Sequence, residues 1–274
     1  MTLTVGHIAY ANCVPFFHYL SDSGFSGRIL SGVPAELNRL LAEGGVDISP
    51  SSSFEYGRNW RNYLLLPGHS ISTFGPVKSV LFFSPLALED LDGTEIALTG
   101  ESATSVNLIK VLLQEFLGFN RITYPVPQRP VEEILAEGGS GLLIGDRALK
   151  ASQKRDVPYR IYDLGELWNR FTGLPFVFAL WILRKEAAAA KPAEFAALRD
   201  QLAESRQRAF FSLDTLAAQT PERSWMSEEA LIDYWQCMSY DLTDRHRQGL
   251  ELYFRLLVKH GLLPDMPEIR FFED

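Results

Sequence analysis

The sequence lacks the residues that mark a disulfide-stabilised protein or a metal site. Its only two cysteines, Cys13 and Cys237, lie far apart and without metal-ligand spacing, so we expect both thiols to be reduced. The five histidines form no metal-binding motif, and neither a Gly-x-Ser-x-Gly sequence nor a phosphate-binding glycine-rich loop is present. These patterns give no indication of a metal, a nucleotide or a serine nucleophile.

Positive charge and long apolar stretches are also scarce. Lys and Arg number 26 against 34 Asp and Glu, and the net charge of -8 works against a general attraction to nucleic acid or anionic lipid. The longest apolar stretches, such as Leu174 to Leu183, fall short of the ~20 residues that span a bilayer, and the first residues do not resemble a secretion signal. We therefore expect a cytoplasmic protein with no membrane and no nucleic-acid partner.

The chain does contain a regular alternation of strand-like and helical segments. Its 274 residues and 46% hydrophobic content suffice for one large domain or two of ordinary size. The patterns predict strands at Leu3–Ala9, Arg28–Ser31, Val46–Ser49, Tyr63–Leu66, Val80–Ser84, Thr94–Leu98, Ile122–Tyr124, Gly141–Ile144, Tyr159–Tyr162 and Phe176–Leu183. Helices are predicted between them, and only helices follow Pro192. This order indicates an α/β protein with mainly parallel sheets and a helical C-terminal segment.

Two sets of strands predict two lobes. A loop-like stretch from Leu86 to Gly93 separates the sets, and the strand that ends at Leu183 leads into the helical segment. We therefore expect residues 1–84 and 184–274 to form lobe 1, and residues 85–183 to form lobe 2. Two chain crossings between lobes are typical of a hinge with a cleft between them.

Four junctions share one chemistry, because a hydrophobic strand runs into small uncharged polar residues where a helix is predicted to begin. They are Tyr10–Cys13, Ser49–Ser53, Glu101–Ser105 and Ile144–Asp146. Hydroxyls, amides and unpaired backbone N–H groups at the positive end of a helix dipole bind an anion without a counter-charged side chain. The sequence therefore predicts a small carboxylate as the ligand.

Five segments carry a more specific pattern. They are GHIAYANCVP at 6–15, GPVKSV at 75–80, SATSV at 102–106, IGD at 144–146 and WNRFTGLPFVFA at 168–179. In combination they resemble the chorismate dehydratase family of the futalosine pathway of menaquinone biosynthesis.

The resemblance implies a two-lobed fold like that of type II periplasmic binding proteins, with a hinged cleft between the lobes. It also implies a cytoplasmic hydro-lyase that needs no cofactor and no metal. Such an enzyme binds the dicarboxylate chorismate and releases 3-[(1-carboxyvinyl)oxy]benzoate and water.

Asn12 and Ser79 are the predicted catalytic residues. Asn12 follows the first strand, where it caps the next helix, contacts substrate, or does both. Pairing with a neighbouring strand would be the simpler explanation for Ser79, but the family motif favours a role in orienting the substrate. Ser79 would hold either the leaving hydroxyl or a carboxylate.

The predicted substrate-binding residues near helix starts carry hydroxyls. One serine of the Ser51–Ser53 run is expected to be a plain cap, and Ser52 is the preferred substrate contact over Ser51. Ser102, Thr104 and Ser105 open one helix, and at least one of them is expected to be its cap. The two further hydroxyls exceed what capping needs, so the three are expected to bind a carboxylate together with backbone N–H groups, with Thr104 and Ser105 as the preferred pair.

The other predicted substrate contacts come from two loops. Gly145 allows close approach of the backbone, whereas Asp146 would repel a dianion and is left out of the catalytic set. A second loop is expected to form an apolar wall for the ring, although its tryptophan also fits a core position. Its residues are Trp168, Thr172, Gly173, Leu174 and Pro175.

The four junctions contain almost no side chain that is suited to act as a general base. We therefore expect the protein to orient chorismate and stabilise charge, while a carboxylate of the substrate takes the proton and aromatisation drives the reaction. Two alternatives stay open. One is a non-catalytic small-carboxylate binding or sensor protein, and the other is the related enzyme of the same pathway that acts on a cyclic futalosine derivative.

Overall fold

The computed structural model describes residues 2–154 and 158–273, which form two sheets surrounded by helices. The strands of this described part are β1 (Thr4–Ile8), β2 (Arg28–Gly32), β3 (Ile48–Ser52), β4 (Tyr63–Thr73), β5 (Val80–Ser84), β6 (Ile96–Ala97), β7 (Ser140–Ile144), β8 (Arg160–Asp163) and β9 (Phe176–Arg184). Its α-helices are α1 (Val14–Phe17), α2 (Pro34–Glu43), α3 (Ser53–Asn59), α4 (Ala103–Val111), α5 (Val131–Ala136), α6 (Gly145–Ser152), α7 (Leu164–Thr172), α8 (Lys185–Ala190), α9 (Pro192–Phe211), α10 (Leu213–Gln219), α11 (Glu228–Cys237) and α12 (Asp244–Lys259).

The first sheet has the strand order β2-β1-β3-β9-β4. Strand β1 pairs in parallel with β2 and β3, whereas β9 runs antiparallel to both of its neighbours, β3 and β4. Every residue of β3 is buried, and so is β9 up to its last residue. Strand β9 reads as a near-continuous apolar run, as expected for a strand that is covered on both faces, whereas β3 is buried despite its serines.

The second sheet has the order β6-β7-β5-β8 and contains the fully buried strands β5 and β7. Strand β5 runs antiparallel to β7 and β8, and β6 is parallel to β7. Both sheets are thus mixed, and the expectation of mainly parallel sheets is wrong. The reason is that β5 and β9, the strands reached by crossing between sheets, each enter their sheet in the opposite direction to their neighbours.

Most predicted strands are confirmed, with shifts at their ends. Val46–Ser49 is displaced to Ile48–Ser52, so that Ser51 and Ser52 belong to a strand rather than to a loop. The predicted strand Ile122–Tyr124 is wrong, because only an isolated bridge between Thr123 and Glu95 forms there.

The chain changes sheets earlier than the predicted lobe boundaries. Strand β5 already belongs to the second sheet, and β9 belongs to the first. The crossings therefore lie between Thr73 and Val80, and between Asp163 and Phe176, instead of near residues 84 and 183. The division into two lobes itself stays a prediction.

The C-terminal segment is helical, as predicted, and its helices pack back against the two-sheet part of the chain. Helix α12 packs against β9 and α4, and α9 packs against α1. The Trp235 indole on α11 donates to the carbonyl of Ala11, just after β1. Within the described residues, no helix is both long and apolar enough to cross a bilayer.

Candidate functional site

A cleft with a cavity volume of about 50 Å³ lies where residues of both sheets meet. Its lining comprises Ile8, Tyr10, Asn12, Pro34, Ser52, Ile71, Val77, Ser79, Val80, Ser102, Ser105, Ile144, Gly145, Phe178, Ala179 and Met238. All four junctions singled out in the sequence contribute to it, because strand ends from the two sheets face one another here.

Asn12 lies in a short 3-10 turn, Ala11–Cys13, between β1 and α1. It is not a helix cap, since Tyr10 and Cys13 occupy the two cap positions in this segment. Its Oδ1 is buried and has no hydrogen-bond partner among the described residues. An unpaired buried acceptor that lines a cleft is suited to a hydrogen-bond donor on a ligand.

The turn that carries Asn12 is held from two sides. The Ala11 N–H donates to Asp146 Oδ1 over 3.0 Å, and the Trp235 indole donates to the Ala11 carbonyl over 2.8 Å. Burial raises the pKa of Asp146, and the hydrogen bond from Ala11 opposes that rise. Asp146 therefore has a structural partner, which agrees with its exclusion from the predicted catalytic set.

Ser79 is almost fully buried and follows Lys78, whose positive φ of 59° is unusual for a residue with a side chain. The Tyr234 phenol donates to Ser79 Oγ over 2.8 Å, and Ser79 Oγ donates to the Val77 carbonyl over a long 3.3 Å. Ser79 Oγ thus accepts a short hydrogen bond from Tyr234 and donates only a long one to Val77. Its own hydroxyl hydrogen is therefore available to a ligand.

The segment before Ser79 is fixed by a buried carboxylate. Asp163 accepts hydrogen bonds from the N–H groups of Val77 and Lys78, and it also caps α7. Burial raises the pKa of Asp163, and these backbone hydrogen bonds oppose that rise. On the other side, the Gly145 N–H donates to the Ser79 carbonyl over 2.7 Å. The strained backbone at Lys78 persists because these contacts over-determine it.

Ser102 and Ser105 open α4 and share one hydrogen-bond chain. Ser102 is the N-cap, its Oγ accepts from the Ser105 N–H, and its own hydroxyl donates to Ser105 Oγ over 3.0 Å. The Ser105 hydroxyl hydrogen has no acceptor among the described residues and lines the cleft. Ser102 therefore serves as the cap, while the Ser105 hydroxyl hydrogen is unused at the positive end of the helix dipole.

Ser52 is the N-cap of α3, and its Oγ accepts from the Glu55 N–H and from the amide of Asn38. Its hydroxyl hydrogen has no acceptor within the described part of the chain and faces the cleft. Ser51 is fully buried and does not line the cleft, because successive residues of β3 point to opposite faces of the sheet. Its Oγ has no hydrogen-bond partner among the described residues, and its substrate contact stays a prediction.

Thr104 does not line the cleft either. Its Oγ1 accepts from the Phe54 N–H, and its carbonyl accepts from the Tyr253 phenol. The side chain is fully buried and ties α4 to α3. Of the three hydroxyls expected in this turn, two remain at the cleft.

The predicted apolar wall lies outside the lining. Trp168 is a core residue whose indole donates to the Pro175 carbonyl, and Thr172 Oγ1 donates to the Trp168 carbonyl and accepts from the Leu174 N–H. Gly173 ends α7 in the left-handed conformation, with φ of 68°. These residues form a helix end, which corrects the expectation of contact with a ring. Phe178, further along β9, lines the cleft instead.

Two tyrosines at the site were missed. Tyr10 belongs to the first junction, and its hydroxyl donates to Glu101 over 2.8 Å, while Arg147 holds the other oxygen of that carboxylate. The Tyr10 ring lies against Gly145, where a Cβ would come within 2.7 Å of it. Tyr234 gave no sequence signal, because it reaches Ser79 from a helix far along the chain.

Charged side chains are absent from the described lining of the cleft. Tyr10 is the ionisable residue of this described lining, and burial together with the Glu101 carboxylate raises the pKa of its phenol. That phenol therefore stays protonated at neutral pH. The cleft offers hydroxyls, one amide and apolar surface, which suits a small anionic ligand with an apolar ring.

Comparison with known proteins adds a family and a fold. A family model described as menaquinone biosynthesis matches residues 3–259. A chorismate dehydratase from Thermus thermophilus is 37% identical over 262 residues, which cover 90% of this chain and 92% of that protein. A chorismate dehydratase from Campylobacter jejuni is 31% identical over 180 residues, 64% of each chain.

Solved structures show the same fold at low identity. Protein AF1704 from Archaeoglobus fulgidus has a TM-score of 0.73 at 17% identity, covering 96% of this chain and 98% of that one. The alkanesulfonate-binding protein SsuA from Xanthomonas axonopodis pv. citri, bound to MOPS, has a TM-score of 0.69 at 17% identity, covering 97% and 95%. The predicted periplasmic-binding-protein-like fold is thereby confirmed.

Proposed function

Because the chain belongs to the menaquinone biosynthesis family, we propose that it is a hydro-lyase of the cytoplasm that converts chorismate to 3-[(1-carboxyvinyl)oxy]benzoate and water. The observation that carries the proposal is the neutral lining of the cleft. A dicarboxylate with a reactive ring needs donors for its charges and apolar surface for its ring, and it needs no cationic side chain if the donors are pre-oriented.

One substrate carboxylate binds at the start of α4. The Ser105 and Ser52 hydroxyls each have a hydrogen that is not used inside the described protein, and the helix dipole favours negative charge at this position. Ser102 supports this site as the cap that orients Ser105. Ser52 ends a strand of the first sheet, and Ser105 lies on the helix that follows β6 of the second sheet, so binding joins the two sides of the cleft.

The leaving hydroxyl binds between Asn12 and Ser79. A hydroxyl both donates and accepts, and these residues offer the complementary groups: an unpaired acceptor on Asn12 and an available hydrogen on Ser79. Ser79 then donates to the oxygen on which negative charge develops as the C4–O bond breaks. Such a contact is stronger in the transition state than in the ground state, which is the condition for catalysis.

The substrate supplies its own base. The reaction removes the proton from C3 and the hydroxyl from C4, and these leave together as water, so that no net acid or base is consumed. The described lining contains no carboxylate, imidazole or amine, and Tyr10 is held in its protonated form. The enolpyruvyl carboxylate takes the C3 proton and passes it to the departing hydroxide, which leaves as water, so the carboxylate is regenerated while the protein fixes the geometry.

The two sheets belong to lobes that close on the substrate, with hinges in the crossing segments 74–76, before the fixed backbone at Val77, and 173–175, after α7. The contacts from Tyr10 to Glu101 and from Ala11 to Asp146 join the two sides in the closed form. Closure excludes water, which strengthens neutral donors aimed at an anion. Small-angle scattering with and without saturating product measures this closure, and identical profiles would argue against it.

The decisive experiment is incubation of the purified protein with chorismate, followed by separation of products and mass spectrometry. The expected result is enzyme-dependent formation of a benzenoid product lighter than chorismate by one water. The fold is shared with alkanesulfonate-binding proteins, so binding without turnover would identify a carboxylate-binding protein instead. Turnover of a cyclic futalosine derivative in place of chorismate would assign the chain to the other reaction.

A further inference from the structure

We propose that Tyr234 is a positioning residue, which sets the direction of the Ser79 hydroxyl so that this group donates to the substrate. The inference rests on the proposed dehydration and extends it to a residue outside the cleft lining. Tyr234 lies on α11, in the helical segment that follows the two-sheet part of the chain.

Consecutive residues of α11 contact both predicted catalytic positions. The Tyr234 phenol reaches Ser79 Oγ, and the Trp235 indole reaches the Ala11 carbonyl, next to Asn12. Both side chains are fully buried, so neither has water as an alternative partner. Helix α11 therefore links Ser79 on one side of the site to the turn that carries Asn12 on the other side.

The direction of the hydrogen bond follows from the partners available. Among the described residues, the Tyr234 phenol has Ser79 Oγ as its acceptor at 2.8 Å. Because a buried phenol must place its hydrogen on an acceptor, Tyr234 donates and Ser79 accepts. Burial raises the pKa of Tyr234 well above its usual value, which keeps that hydrogen in place.

Ser79 then has one hydrogen left to donate. Its present acceptor, the Val77 carbonyl, lies 3.3 Å away, near the limit for an O–H donor. The backbone of Ser79 is fixed through Asp163 and Gly145, so rotation of the hydroxyl is its main remaining freedom. A substrate oxygen in the cleft competes readily for this hydrogen, and donation from Tyr234 polarises the hydroxyl in the required direction.

Removal of the Tyr234 hydroxyl frees the second orientation of Ser79. The serine then accepts from the leaving hydroxyl as easily as it donates to it, and the donor is no longer pre-oriented toward developing charge. The loss falls on the transition state more than on substrate binding. We therefore expect Tyr234→Phe to lower kcat about tenfold and to change KM less than about twofold.

A matched control is Tyr56→Phe. Tyr56 is also fully buried, and away from the cleft its hydroxyl donates to the Glu268 carbonyl over 2.7 Å and accepts from the Arg270 N–H over 2.8 Å. Tyr56→Phe loses two hydrogen bonds where Tyr234→Phe loses one, so it reports the effect of at least as large a destabilisation without a change at the site. Both variants are compared by thermal denaturation, and kcat is expected to fall only in Tyr234→Phe. Equal kcat values in the two variants would overturn the inference.

A double-mutant cycle separates positioning from general damage. If Tyr234 acts through Ser79, then Tyr234→Phe on a Ser79→Ala background lowers kcat by less than about twofold further. A full additional tenfold loss would show that Tyr234 acts by another route. If the wild-type protein does not dehydrate chorismate, the proposed function is refuted. If the wild type is active and Tyr234→Phe is equally active, only the positioning role is refuted.

A spectroscopic measurement covers the case in which Tyr234→Phe fails to fold. In protein with isotope-labelled tyrosine, the Tyr234 hydroxyl proton is expected to exchange slowly with solvent and to give its own resonance. That resonance should shift or disappear in Ser79→Ala. A hydroxyl spectrum unchanged by Ser79→Ala would contradict the hydrogen bond on which the inference depends.

Discussion

Substitution of Asn12 by aspartate tests the central electrostatic claim, that the cleft binds a dianion with neutral groups. The carboxylate has nearly the shape of the carboxamide, so the change adds charge with little change in packing. Asn12 lines a cleft whose described lining contains no charged side chain, so no cationic side chain of that lining neutralises the new carboxylate.

The expected magnitude follows from Coulomb's law. Two like charges about 4 Å apart repel by about 4 kcal/mol at an effective dielectric constant of about 20, and by about half as much at twice the distance. A loss of about 2 to 4 kcal/mol corresponds to roughly thirtyfold to thousandfold weaker binding. Because the cleft is partly enclosed, salt should reduce this penalty less than it would at the surface.

The assay is calorimetric binding of the benzenoid product, which retains both carboxylates, together with KM for chorismate. Asn120→Asp provides the control, since Asn120 is exposed and the change adds the same charge away from the cleft. The control should bind product as the wild type does. Affinity of Asn12→Asp within threefold of wild type, in a protein of unchanged thermal stability, would refute the claim that the cleft binds a dianion with neutral groups.

Three further predictions concern groups around the cleft. Tyr10→Phe removes the contact to Glu101, and because both residues are partly exposed, we expect KM to rise only about fivefold, as measured by steady-state kinetics. Burial raises the pKa of Asp146, so the folded protein holds that proton more tightly than the unfolded chain and loses stability as pH rises through the folded pKa. Asp146→Asn should therefore have a higher Tm than the wild type at about pH 7 and no higher Tm at about pH 3, below the unfolded pKa. Equal Tm differences between variant and wild type at the two pH values would contradict this prediction. Trp168→Ala should cost about 3 to 5 kcal/mol in the free energy of unfolding, measured with urea, because it empties a core position and leaves the Pro175 carbonyl unpaired. A loss below about 1 kcal/mol would argue against the core role.

Much of the candidate site was predictable from local pattern. Asn12, Ser102 and Gly145 each follow a strand and Ser52 ends one, and strand ends in α/β sheets tend to meet at one edge. The predicted junctions therefore converge, although nothing in the sequence states which strands are neighbours. Ser79 was found from the family motif, and its burial at the cleft agrees with that choice.

Other choices depended on register. In a run of three serines, local pattern does not determine which side chain points to the cleft, and the pairing of β3 with β9 decides in favour of Ser52 over Ser51. Likewise, the start of α4 fixes which hydroxyls of its first turn face outward, so that Ser105 lines the cleft and Thr104 does not. The loop after Trp168 has a capping pattern whose glycine ends a helix, a simpler role than the predicted wall.

The sequence by itself determined the strand and helix order, the uncharged polar character of the strand ends and the family, because these depend on residues close together in the chain. Only the tertiary structure decided the antiparallel entry of β5 and β9, the early crossings between sheets and the contact of Tyr234 with Ser79. That contact joins residues separated by 155 positions. Its existence depends on how the C-terminal helices pack against the sheets, and packing is a property of the whole chain that no local pattern encodes.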